Sequence, residues 1–231
     1  MPEKYVTVYN NLRKDWQDFN ADPKNKKIRI RDVADILSTN EASLLSTKIN
    51  DGVIFLSFPD VNAFLKELSV SGRLMFLVRN DFVVHEKNIC SKDLIFSNNI
   101  IFDKNQDEKC LIEFNSKEIA YTFYESKMHR DRLLESFQFF DIHGQSIMKV
   151  YLKEDDSNSF KEIASNYNIQ YNYELQKNIL NKKNLVISSN SIENIRMPFK
   201  FNVNNIVKYI VDDNIVHSLL GRFSKNKIKI Q

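Results

Sequence analysis

Four histidines, two cysteines and scattered carboxylates are the side chains of this 231-residue sequence with most chemistry to offer. None of the histidines has a second ligand at helical or C-x-x-C spacing. His85 lies in Phe82-Val-Val-His-Glu-Lys, on one strand face with Val83 and Lys87. A lone histidine there is either a structural residue or a metal ligand, because a neutral imidazole on a rigid strand suits that task. His129, in Lys127-Met-His-Arg-Asp-Arg, falls in a charged connection, His143 at a hairpin tip and His217 in the last helix. Cys90 and Cys110 form no C-x-x-C and build no structural zinc site. The pairs Asp155-Asp156 and Asp212-Asp213 read as helix-start or surface carboxylates rather than acid–base dyads. No serine, cysteine or lysine sits in a nucleophile motif. The four glycines (Gly52, Gly72, Gly144, Gly221) stand far apart, so no G-x-G-x-x-G or G-x-x-x-x-G-K-[ST] can be written. Nucleotide sites of those kinds are excluded.

The elements that must carry these residues show in the hydrophobic period. Tyr5, Val8, Tyr9, Leu12, Trp16 and Phe19 recur at helical spacing, and Asp22-Pro23-Lys24-Asn25 ends that helix. Residues 29–48 read as two short helices around a polar corner, with Thr39 or Asn40 capping the second. From Val53 the period becomes two. Val53–Phe58 is a strand, and Pro59-Asp60 opens a short helix to Leu68. Strands then follow at Arg73–Arg79, Phe82–Lys87, Asp93–Ser97, Ile100–Asp103, Cys110–Phe114, Ile119–Tyr124, Leu133–Asp141 and Ser146–Leu152. Short polar turns between them favour an antiparallel meander over parallel βαβ units. Asp156-Ser157 caps a helix with Phe160, Ile163, Ala164 and Tyr167 inward, residues 169–200 read as a linker, and two short helices with a basic tail follow. The class is α+β: a large meandering antiparallel sheet flanked by helices, with a truncated helical C-terminal extension.

The net charge of +3 announces no polyanionic partner, although residues 157–231 hold 11 basic and 5 acidic side chains. So few cysteines suit a reduced compartment. The N-terminus has no apolar signal core and no stretch is long enough to span a bilayer, so the expectation is a soluble, cytoplasmic protein with no membrane span. The pair at 29–48 also has the outline of a helix-turn-helix, with Ala34 near the crossing. Its second helix offers no Arg, Asn or Gln beyond the cap for reading bases, so a corner packed on the sheet is preferred and nucleic acid is not the expected partner.

Three segments together resemble the haem-handling HemS/ChuS/HmuS family. Ile30-Arg-Asp-Val-Ala-Asp-Ile-Leu-Ser-Thr-Asn-Glu-Ala-Ser-Leu-Leu is similar to its "ARDIA…L…SEAEL" opening. Leu77-Val-Arg-Asn-Asp-Phe-Val-Val-His-Glu-Lys resembles its "xRNExxVHEK" strand pair. Glu135-Ser-Phe-Gln-Phe-Phe-Asp-Ile-His-Gly-Gln-Ser-Ile-Met-Lys-Val-Tyr is close to "SLQFFDxxGxAxxKVY". Order and spacing agree over about residues 10–165.

The resemblance implies a cytoplasmic protein that takes haem from an uptake system and stores or passes it on; some members degrade it with a redox partner. Family chains hold two similar halves. The expected division here is a haem-handling domain over 1–168, a linker over 169–200 and a helical remnant of the second half over 201–231. The family's histidine ligand in the second half falls on Asn204, and its first-half arginine falls on Glu113. His85 matches the family's VHE position. The resemblance therefore implies haem as the cofactor, His85 on its iron, and Arg79 or Lys87 near a propionate. A homodimer is a possible form. Two other readings stand beside it: a small nucleic-acid-binding module using 29–48, and a degenerate paralogue that keeps only the fold.

Overall fold

A computed structural model describes residues 3–57, 60–79, 84–97, 100–104, 109–113, 116–129, 131–153 and 158–169. The expected linker over 169–200 and helical remnant over 201–231, with Asn204 and His217, lie, apart from Ile169, outside the described residues.

Helices α1 (Glu3–Ala21), α2 (Ile30–Ile36) and α3 (Glu41–Ser46) come first, then strand β1 (Val53–Leu56) and helix α4 (Val61–Glu67). Strands β2 (Arg73–Arg79), β3 (Val84–Cys90), β4 (Leu94–Ser97), β5 (Ile100–Asp103), β6 (Lys109–Glu113), β7 (Tyr121–His129), β8 (Arg132–Phe140) and β9 (Ser146–Leu152) follow, and α5 (Asn158–Asn166) closes the described part. The α+β architecture expected from the sequence is the one observed. The strands form a six-stranded sheet in the order β1-β7-β8-β9-β2-β3 and a three-stranded sheet β4-β5-β6, antiparallel throughout. Consecutive strands pair within β7-β8-β9, β2-β3 and β4-β5-β6, whereas β1 joins β7 and β2 joins β9 across long stretches of sequence.

Alternation along the strands gives the large sheet two unlike faces. One carries Phe76, Val78, Tyr124, Phe137, Phe139, Met148 and Val150, packed on Phe64 and Leu65 of α4, Phe160, Ile163 and Ala164 of α5, and Leu94 and Ile101 of the small sheet. Phe137 lies at its centre, with ring centroids 5.0 Å from Phe64 and 4.5 Å from Phe160. Burying each such ring stabilises the fold by roughly 1.5–3 kcal/mol. The other face is mixed. Val53, Phe55, Tyr121, Phe123 and Phe140 pack with Ala42 and Leu45 of α3, and between them stand the buried polar side chains of Glu125, Ser136, Gln138 and Lys149.

Helix α3 is short because polar groups bound it on both sides. The Asn40 side chain accepts a hydrogen bond from the Ser43 amide at 2.8 Å, as an N-cap should. At the other end the Ser46 and Thr47 hydroxyls donate to the carbonyls of Ser43 and Leu44, each at 2.7 Å. All six residues of α3 are buried, so this helix packs on the sheet and offers no surface to a DNA groove. Leu12 and Trp16 of α1 and Val33 and Ala34 of α2 pack with its Leu44.

Three sequence expectations shift. Val8 is exposed rather than on the inner face of α1. The strand expected at 82–87 runs from Val84 to Cys90, because β3 continues its ladder along β2 to Arg73. The charged stretch up to His129 is strand rather than connection, because β7 pairs with β8 out to His129 opposite Arg132.

Candidate functional site

The three residues singled out from the sequence sit on the β2–β3 hairpin at the edge of the large sheet. His85 is the cross-strand partner of Val78, Lys87 of Phe76, and Arg79 of Val84. Lys87 therefore shares the register row of the aromatic face and is half-buried there. Arg79 follows Val78 and belongs to the opposite face. The structure does not bring Arg79 and Lys87 together.

It brings Arg79 instead to two residues far away in sequence. Its Nη2 donates to Glu41 Oε1 at 2.6 Å, and Lys149 Nζ donates to Glu41 Oε2 at 3.3 Å. The two cations and the carboxylate are largely or wholly withdrawn from water, with side-chain exposures of 11%, 7% and 4% for Arg79, Lys149 and Glu41. Register continues the network across the sheet, since Lys149 faces Gln138 on β8 and Leu77 on β2. Gln138 Nε2 donates to Glu125 Oε2 at 2.8 Å and to Ser136 Oγ at 3.2 Å. Glu125 in turn accepts from the exposed Lys127 at 2.8 Å.

The electrostatics follow from this crowding. Burial pushes the Glu41 carboxyl up, but Lys149 and Arg79 outweigh it and hold the group below its ordinary value. Glu125 behaves alike: burial raises it, and Lys127, Lys48 and Lys149 outweigh that and hold it below its ordinary value. Burial, reinforced by the charge of Glu125, pushes the Tyr151 phenol up to about 12. Two buried atoms of the network have no hydrogen-bond partner among the described residues, Arg79 Nε and Gln138 Oε1.

These groups largely saturate one another, so the network is built to hold elements in place. No cluster of three or more His, Cys, Asp or Glu able to hold a metal ion occurs among the described residues. His129 and His143 are exposed, Cys90 is a free, half-buried thiol, and Glu113 is the last residue of β6. Because Arg79 is engaged by Glu41, Lys87 is the cation on the hairpin that carries no ion pair among the described residues. Glu41, Glu125 and Lys149 were not singled out by sequence reasoning. The available signal was a charged residue at an inward position of an otherwise apolar strand, as in Ser146-Ile-Met-Lys-Val-Tyr-Leu.

A model of the "Haemin-degrading HemS.ChuX domain" matches residues 38–167. The hemin transport protein HemS of Yersinia enterocolitica is 28% identical over 127 residues, which is 54% of this chain and 35% of that protein. The heme degrading enzyme ChuS of Escherichia coli superposes with a TM-score of 0.63 at 20% identity, over 73% of this chain and 50% of that one. The heme-binding protein PhuS of Pseudomonas aeruginosa, in its holo form, superposes with a TM-score of 0.60 at 23% identity, over 70% of this chain and 46% of that one. The two structures show a shared fold. The matched part spans about a third of HemS and about half of ChuS and PhuS.

Proposed function

Because the chain belongs to the HemS/ChuX domain family, whose model spans more than half of it, we propose that it binds haem and passes it on in the use of haem iron. The observation that carries this reading is the reach of that match, residues 38–167, which takes in all nine strands and the His85 hairpin. In this reading the haem is cargo. His85 supplies a neutral imidazole to the iron, and Lys87, two residues along the same strand, meets a propionate. Arg79 is left to its partner Glu41. The protein works in the cytoplasm between an uptake system and the users of iron. Transfer is favoured over degradation because the positions where the family resemblance implies a histidine and an arginine hold Asn204 and Glu113.

Hemin titrated into the full chain should produce a Soret band, and His85→Ala should abolish it. A band unchanged in that variant rejects the ligand assignment, and no band in the parent chain rejects haem binding. Adding a reductant under air should leave the haem spectrum recoverable; its irreversible loss with release of iron would replace transfer by degradation.

A further inference from the structure

The ladder that joins β2 to the body of the sheet stops short. β9 pairs with Leu74, Met75, Phe76 and Leu77, while β2 and β3 continue together through Val78–His85 to Arg79–Val84. On its other side β3 has no strand partner among the described residues. The far end of the hairpin, next to His85, thus has no ladder pairing with its lateral neighbour, although β9 itself runs on to Ser146. A partly buried bond at that end comes from a helix: Glu41 of α3 accepts from Arg79 at 2.6 Å. The other carboxylate oxygen of Glu41 takes Lys149 at 3.3 Å, and α3 is itself enclosed by α1 and the sheet.

We propose that Glu41 is a positioning residue for His85: by gripping Arg79 it fixes the unpaired far end of the β2–β3 hairpin against α3 and so sets where the histidine stands. The proposal rests on the reading in which His85 ligates haem. Lys149 has a lesser part, because its bond to Glu41 lies on β9, inside the continuous ladder. Two substitutions in one buried network should therefore act differently. Removing the carboxylate charge frees the hairpin end, while removing the Lys149 ammonium leaves the Glu41–Arg79 bond in place.

The test uses the full chain with Glu41→Gln and Lys149→Met, read by amide hydrogen exchange over residues 73–90 and by hemin titration. In Glu41→Gln, exchange should accelerate in the hairpin ahead of β7 and β8, as selective local opening requires. Hemin affinity should fall about ten-fold, the scale of losing a partner that orients a ligand. Lys149→Met should keep hairpin protection and hemin affinity near those of the parent. Equal effects of the two variants, or no local change in Glu41→Gln, would overturn the proposal, since a role in general stability moves both alike. Should Glu41→Gln not fold, Arg79→Met removes the same grip from the other side and must give the same hairpin-specific loss. If the parent chain binds no hemin, the haem reading fails and hydrogen exchange alone decides the clamp.

Discussion

Gly144 lies so close to Asn40 that a Cβ built on it would stand 2.1 Å from Asn40 Oδ1, the oxygen that caps α3 through the Ser43 amide. The β8–β9 turn and the start of α3 are thereby locked together, and the Ala42 amide donates to the Gly144 carbonyl at 3.2 Å.

Gly144 also has a φ of +75°, where an L side chain is strained. Gly144→Ala should cost about 1–2 kcal/mol for the left-handed backbone and about 1 kcal/mol more for the displaced cap. Asn40→Ala loses the cap but opens space for the new methyl. Urea denaturation of the two single variants and the double should show the double less destabilised than the sum. Additive values would mean that the two residues do not meet.

Phe137 is fully buried between Phe64, Tyr124 and Phe160. Phe137→Ala should lower stability by about 3–5 kcal/mol, as for other large-to-small changes in a packed core. A loss below about 1 kcal/mol by chemical denaturation would show that the two packed layers close over the gap.

Glu41 sets an acid limb of stability. Its carboxyl is held below the ordinary value of 4.5, so on acidification the unfolded chain takes up the proton first. The contribution is complete above the unfolded value and is lost as pH falls through the lowered native one. Glu41→Gln, which cannot titrate there, should show a shallower decline of unfolding free energy below about pH 4.5 than the parent. Equal slopes would mean that Glu41 is not held low in the native state.

Lys87 and His85 should separate in hemin titrations. Lys87→Ala removes a propionate partner and should weaken binding several-fold with the Soret position unchanged, since an exposed or half-buried ion pair is worth about 1 kcal/mol or less. A shifted Soret maximum in Lys87→Ala would instead place Lys87 at the iron.

Most strands were legible in the sequence because short apolar runs rich in aromatic and β-branched residues, bounded by polar turns, are printed directly in segments such as Arg73–Arg79 and Ser146–Leu152. Local caps were legible too: Asn40 and Asp60 each accept from an amide at the start of their helix. Partner choice was not. Nothing near Val53 says that it faces Glu125, or near Leu74 that it faces Leu152, because those pairings are settled by which faces must be buried together. The ion pairs were hidden for the same reason. Glu41 lies 38 residues from Arg79 and 108 from Lys149, and nothing local to any of the three names its partner. The outward drift of β7 and β8 to His129 and Arg132 was missed because a two-stranded ribbon needs no apolar alternation to pair its backbone.

The two faces of the large sheet also constrain descent differently. On the aromatic face, neighbours such as Phe139 and Met148 can exchange one at a time as long as volume is kept. On the ionic face a lone change at Glu41 strands two buried cations, whereas a lone change at Lys149 leaves Glu41 paired one-to-one with Arg79. Relatives that lose Glu41 should therefore have replaced Arg79 and Lys149 as well, although the three positions sit in three separate stretches of the chain.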